Sequence, residues 1–451
     1  MRLSHKGFSP KFSLRLFLKV SVGLSPDIRQ PPPPPTMTLF AIAFLLALTL
    51  ATSTRLWLAG RHIRHVFGRR DSVPAEFEGR ITLDAHRKAA DYTVEKTRLG
   101  RLDTLAGAVL VLALTFGGGL QWLSVEIARA FDSGGYAHGI ALIVSVVVIS
   151  SLIDLPFSLY RTFVIEARFG FNRMTLRLFF ADMLKHTALG ALFGIPLLAL
   201  VLWLMAVMGE SWWLYTWATW IGFNLLVLMI YPTVIAPMFN KFSPLADESL
   251  KERIERLLQK CGFRSQGLFV MDSSRRSSHG NAYFTGFGAA KRIVLFDTLI
   301  SRLAPTEIEA VLAHELGHFS HHHVGKRMAV LFAASFAFLA AAGWLIGQDW
   351  FYASLGVEAR STAMALLLFF LAAPSFLFLL NPIASLYSRR HEYEADAYAA
   401  AHANAADLVH ALVKLYQDNA ATLTPDPLHS AFYDSHPPAV LRIARLQAQV
   451  R

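Results

Sequence analysis

The chain has 451 residues, 54% of them hydrophobic, with a mean hydropathy of +0.40 and a formal net charge of +11. Soluble globular chains rarely reach that hydropathy, and long uncharged runs produce it here, so the composition reads as a polytopic membrane protein. The positive charge lies between the apolar runs, as an orientation signal and contact with membrane lipid require, and calls for no nucleic acid. The single cysteine, Cys261, excludes an intramolecular disulfide and a cysteine-based zinc site, leaving any metal work to histidine and carboxylate.

Residues 1–36 are basic, contain no run long enough to span, and end in the spacer Pro31 to Pro35. Met37 opens the first apolar span and is the expected natural start, the upstream part being an extension or, alternatively, a targeting peptide. Seven runs come close to the ~20 residues a bilayer needs, at about 38–58, 104–125, 138–158, 187–207, 213–235, 328–348 and 362–384. Arg55 ends the first and can snorkel. Asp154 beside Pro156 is read as a carboxylate facing water at a span end, with an intramembrane role as the alternative. Trp122, Trp212, Trp213 and Trp344 are expected as interface anchors. The connections 59–103, 159–186 and 236–327 are rich in Lys and Arg, and those near 126–137, 208–212 and 349–361 are nearly free of them. This alternation puts the start of the chain outside and the basic connections, with the C-terminus, in the cytoplasm.

The 236–327 segment predicts a small α+β insert. It has an amphipathic helix from Glu248 to Leu258, a strand at Leu268–Met271, and two strands, Ser278–Phe284 and Arg292–Phe296, joined through Gly286 and Gly288. An edge strand of this kind can take an extended peptide, although an ordinary hairpin under a helix gives the same pattern.

From Ala304 to His323 the chain reads APTEIEAVLAHELGHFSHHH, with Pro305 suited to a first helical turn and apolar residues at Ile308, Val311, Leu312 and Leu316. Inside it His314, Glu315 and His318 form H-E-x-x-H. Residues four apart share a helix face, so both imidazoles can reach one metal ion, and Glu315 beside them can take a proton from the attacking water. Catalytic zinc needs a third protein ligand. The run His321 to His323 fails the longer metzincin spacing, because Val324 stands where that signature needs histidine. Downstream, Ser388 to Asp396 offers Glu392 as a ligand, with Glu394 and Asp396 as rivals and Asp396 also suited to orient a ligating histidine. A charged helix laced by i,i+4 pairs is the structural alternative. Near the end, His436 in a proline-bounded loop and Arg442 on the next helix can stabilise an oxyanion, against the plainer reading of a solvated loop.

Several blocks taken together resemble the integral-membrane CAAX prenyl endopeptidases of type one, a zinc metalloprotease family. They are FVIEARFGFNRMT (163–175), FNKFSPL (239–245), HGNAYFTGFGAAKRIVLFDTLI (279–300), EIEAVLAHELGH (307–318), SRRHEYEADAYA (388–399) and DSHPP with Arg442. They stand in family order over roughly residues 38 to 446. The resemblance implies one zinc per chain bound by His314, His318 and Glu392, with Glu315 as general base and Asp396 behind a ligand. It puts Asn281, Ala282 and Tyr283 on the substrate strand and His436 and Arg442 near the scissile carbonyl. It lifts Glu392 over Glu394, where relatives usually carry Gln.

The expected fold is mostly α, with about seven transmembrane helices enclosing a chamber and a small cytoplasmic α+β protease insert. The expected divisions are an extension (1–36), five spans (37–235), the catalytic insert (236–327), two spans (328–384) and a C-terminal catalytic segment (385–451). The expected substrate is a peptide or lipidated protein, and the expected site is a bacterial inner membrane or endoplasmic reticulum membrane with catalysis toward the cytoplasm. The alternatives are a broad quality-control protease of membrane proteins and a metal or solute transporter using His318 and His321 to His323.

Overall fold

The computed structural model describes residues 38–263, 265, 267–285 and 292–450. The expected extension 1–36 and the glycines at 286 and 288 lie outside the described residues. The chain opens with α1 (Leu39–Phe67), α2 (Leu83–Leu114), α3 (Gly119–Ile127), α4 (Tyr136–Tyr160), α5 (Leu176–Val207) and α6 (Trp212–Ile230). Hydroxyl side chains start three of them: Thr38, Thr82 and Thr175 accept from the N–H groups of Ala41, Ala85 and Leu178. Wider π turns extend α4 through Glu166 and α6 through Ile235, the second beginning beside Pro232. Short α7 (Ala236–Phe239) follows.

The insert comprises β1 (Phe242–Pro244), α8 (Glu248–Lys260), β2 (Leu268–Met271), β3 (Ala282–Thr285), β4 (Arg292–Phe296) and the turn α9 (Asp297–Ile300). The sheet order is β1-β2-β4-β3, with β2 and β4 parallel and the outer pairings antiparallel. β3 therefore lies at an edge. Next come α10 (Pro305–Ser320), α11 (His323–Ile346), α12 (Asp349–Ser354), α13 (Thr362–Leu377), α14 (Asn381–His402), α15 (Ala405–Asp418), α16 (Pro427–Tyr433) and α17 (Ala439–Val450).

Among the described residues, six helical stretches are long and apolar enough to cross a membrane, and α2 with α3 makes a seventh if a pair bent by 58° counts as one span. The bend has a local cause. Gly118 sits at φ 71°, and a Cβ on Gly117 would stand 2.6 Å from the carbonyl oxygen of Ala113.

Three spans pack near their ends, whereas α1 buries a face along its length from Ala41 to Val66. α4 buries His138, Gly139, Leu142 and Val146; α5 buries Asp182 at one end and Leu202, Leu204 and Met205 at the other; α6 buries Trp212 and Thr216. Five of the six spans bury only 6–22% of their most apolar window. A solid bundle would bury one face of each helix; helices joined at their ends and open between them enclose a chamber.

One apolar core joins span ends, with Phe44, Leu120, Leu142, Leu202, Phe351 and Met364. A second lies under the sheet and is built from Ile254, Ile293, Leu295, Leu312, Leu412 and Ile443. Trp122 and Trp344 are exposed as anchors must be, whereas Trp212 is buried in the first core. Asp154 is exposed, and Arg55 lies over the ring of Phe378 at 4.2 Å.

Candidate metal centre and active site

α10 begins at Pro305, where the missing N–H costs nothing, and the Glu307 carboxylate accepts from the Ala304 N–H at 2.7 Å. The helix buries Ile308, Leu312 and Leu316 on one side. It packs against α8, α14, α15 and β3. The approach to α14 is as close as backbones allow: a Cβ on Gly317 would stand 2.9 Å from the Cα of Ala395. Gly317 thus lets the helix carrying H-E-x-x-H lie directly on the helix carrying Glu392 and Asp396.

The rings of His314 and His318 stand perpendicular, 4.9 Å between centroids. His314 Nε2 lies 3.6 Å from Glu392 Oε2, and His318 Nε2 lies 3.4 Å from Glu392 Oε1. One ligand atom from each of the three residues falls within 4.8 Å of the others. Donors ~2.0–2.1 Å from a tetrahedral zinc lie roughly 3.3 Å apart, so these residues fit the ion. The donor set also leaves something for an ion to satisfy, since Glu392 Oε2 is buried with no hydrogen-bond partner among the described residues.

The three carboxylates of α14 do different things. Asp396 accepts from His314 Nδ1 at 2.9 Å and from Arg442 at 2.6 and 2.7 Å. Glu394 pairs with His323 at 2.9 Å and with Arg390 at 3.0 Å. Glu392 alone of the three faces both histidines of the motif.

Arg442, in α17, is buried and spends Nε and Nη2 on Asp396, while Nη1 stands 3.9 Å from Glu392 Oε2. His436 is exposed in the loop before α17, with Nε2 3.4 Å from Glu392 Oε2. The strand expected at Ser278–Phe284 begins only at Ala282, so Asn281 is exposed just before β3 while Ala282 is buried opposite Leu295 and Tyr283 is half-buried opposite Val294.

Electrostatics follow from burial and neighbours. Burial pushes the Glu315 carboxyl up, against the pull of His314. Burial, then the neighbouring His314, brings His318 down to about 3, so its imidazole is neutral with a lone pair available. His314 is raised: burial and Arg442 lower it, but the carboxylates of Asp396 and Glu392 outweigh them. That environment favours positive charge at His314, whether proton or cation. Burial opposes the charge on Arg442, and Asp396 more than offsets it.

Arg327 escaped the sequence reading, and His323 entered it only as part of the run His321 to His323, with no role beside His318. Arg327, early in α11, brings Nη2 to 4.0 Å from Glu392 Oε1. His323 lies behind His318, Nδ1 to Nδ1 at 2.9 Å. Its place five residues after His318 is off the shared helix face, so helical spacing gave no signal for it.

Two sequence profiles match the chain. One, described as "CAAX prenyl protease N-terminal, five membrane helices", covers residues 62–241; the other, peptidase family M48, covers residues 244–450. The CAAX prenyl protease 1 homolog of Arabidopsis thaliana is 35% identical over 387 residues, covering 84% of this chain and 91% of the relative. CAAX prenyl protease 1 of Saccharomyces cerevisiae is 37% identical over 314 residues, covering 66% and 69%. The crystal structure of S. mikatae Ste24p superposes with a TM-score of 0.84 at 30% identity, covering 92% of this chain and 100% of that one.

The spans, the chamber and the H-E-x-x-H centre define the class: an integral, multi-pass membrane metalloendopeptidase. The chain belongs to peptidase family M48 and, within it, to the CAAX prenyl proteases of type one.

Proposed function

We propose that this chain is a zinc-dependent endopeptidase that cleaves a peptide bond near the C-terminus of prenylated CAAX-type proteins. The observation that carries the reading is the convergence of His314, His318 and Glu392 at donor spacings of 3.4 and 3.6 Å, with Glu315 on the same helix. Those three residues would hold one zinc per chain. Bound there, zinc polarises a peptide carbonyl and lowers the pKa of water toward ~7.

The remaining steps belong to the protein. Glu315, raised by burial, takes a proton from the attacking water and returns it to the leaving amine. Asp396 fixes the tautomer and orientation of His314 through its 2.9 Å bond to Nδ1. Arg442 holds Asp396 and turns Nη1 toward the site, where it and His436 can donate to the carbonyl oxygen as negative charge develops. The edge of β3 receives the substrate as an added strand, with backbone bonds at Ala282 and contacts from the side chains of Asn281 and Tyr283, the Asn281 carbonyl being turned to Phe296. Residues 236–327 and 385–451 act as one catalytic unit at the cytoplasmic face. Membrane lipid surrounds the spans, in a bacterial inner membrane or the endoplasmic reticulum.

The substrate class comes from the relatives' names and is tested with a synthetic CAAX peptide, with and without a farnesyl group, given to detergent-purified protein. Cleavage after the cysteine that requires the farnesyl group supports the proposal. Cleavage indifferent to the lipid contradicts the CAAX assignment and favours a quality-control protease.

A further inference from the structure

A second set of side chains meets on the side of His318 turned away from Glu392. His318 Nδ1 lies 2.9 Å from His323 Nδ1, and His323 Nε2 lies 2.9 Å from Glu394 Oε2. Arg390, one turn earlier on α14, donates to the other oxygen of Glu394 at 3.0 Å. The His391 ring stacks flat on His323, centroids 4.0 Å apart and planes 12° apart. His323 and His391 are 1% and 2% exposed. The turn that returns the chain here runs through His322 at φ 55°, a conformation histidine adopts more readily than most residues.

These contacts fix where the protons sit. The Glu394 carboxylate only accepts, so His323 Nε2 donates to it. With its proton on Nε2, His323 presents the lone pair of Nδ1 to His318 Nδ1. The proton between the two Nδ1 atoms therefore belongs to His318. That leaves His318 Nε2, the atom 3.4 Å from Glu392, with its lone pair free.

We propose that His323 and Glu394 are positioning residues that lock His318 in the tautomer and orientation that metal binding requires. His314 is served directly by Asp396, and His318 is served by Glu394 through His323. The inference rests on the proposed function in taking His318 as a ligand. A competing use exists, because His323, His391 and Glu394 could themselves hold an ion, and His391 Nδ1 is buried with no partner among the described residues. The geometry favours the relay. Two parallel stacked imidazoles cannot both aim an in-plane lone pair at one ion, and His323 Nε2 is already engaged with Glu394.

The test is the zinc dissociation constant of the full-length, detergent-purified protein, measured by competition with a chelator, together with zinc content per chain. His323→Leu and Glu394→Ala should each weaken zinc binding about 10–100-fold, and the double variant should be no weaker than the weaker single. Glu394→Gln, whose amide oxygen still accepts from His323, should recover most of the loss. A merely structural role would instead lower the melting temperature of the metal-free protein and show no such recovery. His391→Phe, which keeps the stack, should leave affinity unchanged at one zinc per chain. Unaltered zinc affinity in Glu394→Ala would overturn the relay, as would two zinc ions per parent chain falling to one in His391→Phe. Unaltered affinity in His318→Ala would instead remove His318 from the ligand set, and the functional reading would fail with it.

Discussion

Asp396 shows how tightly the residues of this centre depend on one another. Its two oxygens accept from His314 and from a buried arginine, so removing the carboxylate strips a ligand of its orientation and leaves Arg442 uncompensated. Breaking a buried pair by deleting one partner costs about 3–5 kcal/mol. Asp396→Ala should therefore lower the melting temperature clearly and weaken zinc binding; thermal unfolding with and without added zinc checks both. At this scale the pairing of His314 with His318 could be read from their spacing on one helix, and the segment Ser388 to Asp396 could be read as the source of a carboxylate. The choice among Glu392, Glu394 and Asp396 was not legible from the residues alone. Three carboxylates within five positions differ only in which way α14 turns them, and that is settled by where Gly317 lets α10 approach.

At the scale of elements, the contact between α10 and α14 sets the geometry of the centre. Gly317→Val would push side-chain atoms into backbone that cannot yield, at a cost of about 1–3 kcal/mol. Zinc content should fall with it, since His314 and His318 ride on one helix and Glu392 on the other; metal analysis of the purified variant reads this directly. A second element-level prediction concerns α9. Burial opposes the ionisation of Asp297, but hydrogen bonds from Ser274 and Ser273, and from the N–H groups of Ser274 and Thr298, hold its carboxyl below the ordinary value. A depressed folded pKa gives stability that is complete above the unfolded pKa and lost as pH falls through the folded one. The parent should therefore lose stability relative to Asp297→Asn on acidification below the usual carboxylate range, which melting curves across that interval will show. The long periodic helices and the strands at 268–271 and 292–296 could be read from the sequence. β1 could not, since three residues ending in proline carry no alternation and only pairing with β2 makes them a strand. The span expected at 104–125 is bent at Gly117–Gly119, because consecutive glycines permit a bend whose direction only packing decides.

For the whole molecule, the basic loops and the position of the catalytic helices imply a single orientation. In a Cys261→Ser background, a cysteine placed at Asp132 should react with an impermeant thiol reagent from outside intact cells or sealed vesicles of native orientation, and one placed at Arg256 only after permeabilisation; both positions are exposed. The reverse pattern would turn the protease domain to the other side of the membrane. The central claim is that three side chains hold zinc while Glu315 moves the proton. It is tested most directly by the cleavage rate of zinc-loaded Glu315→Gln on a farnesylated CAAX peptide. Glutamine fills the same space but cannot take the proton, so the variant should keep one zinc per chain and lose cleavage by at least about 100-fold. Cleavage near the parent rate with zinc bound would contradict the account.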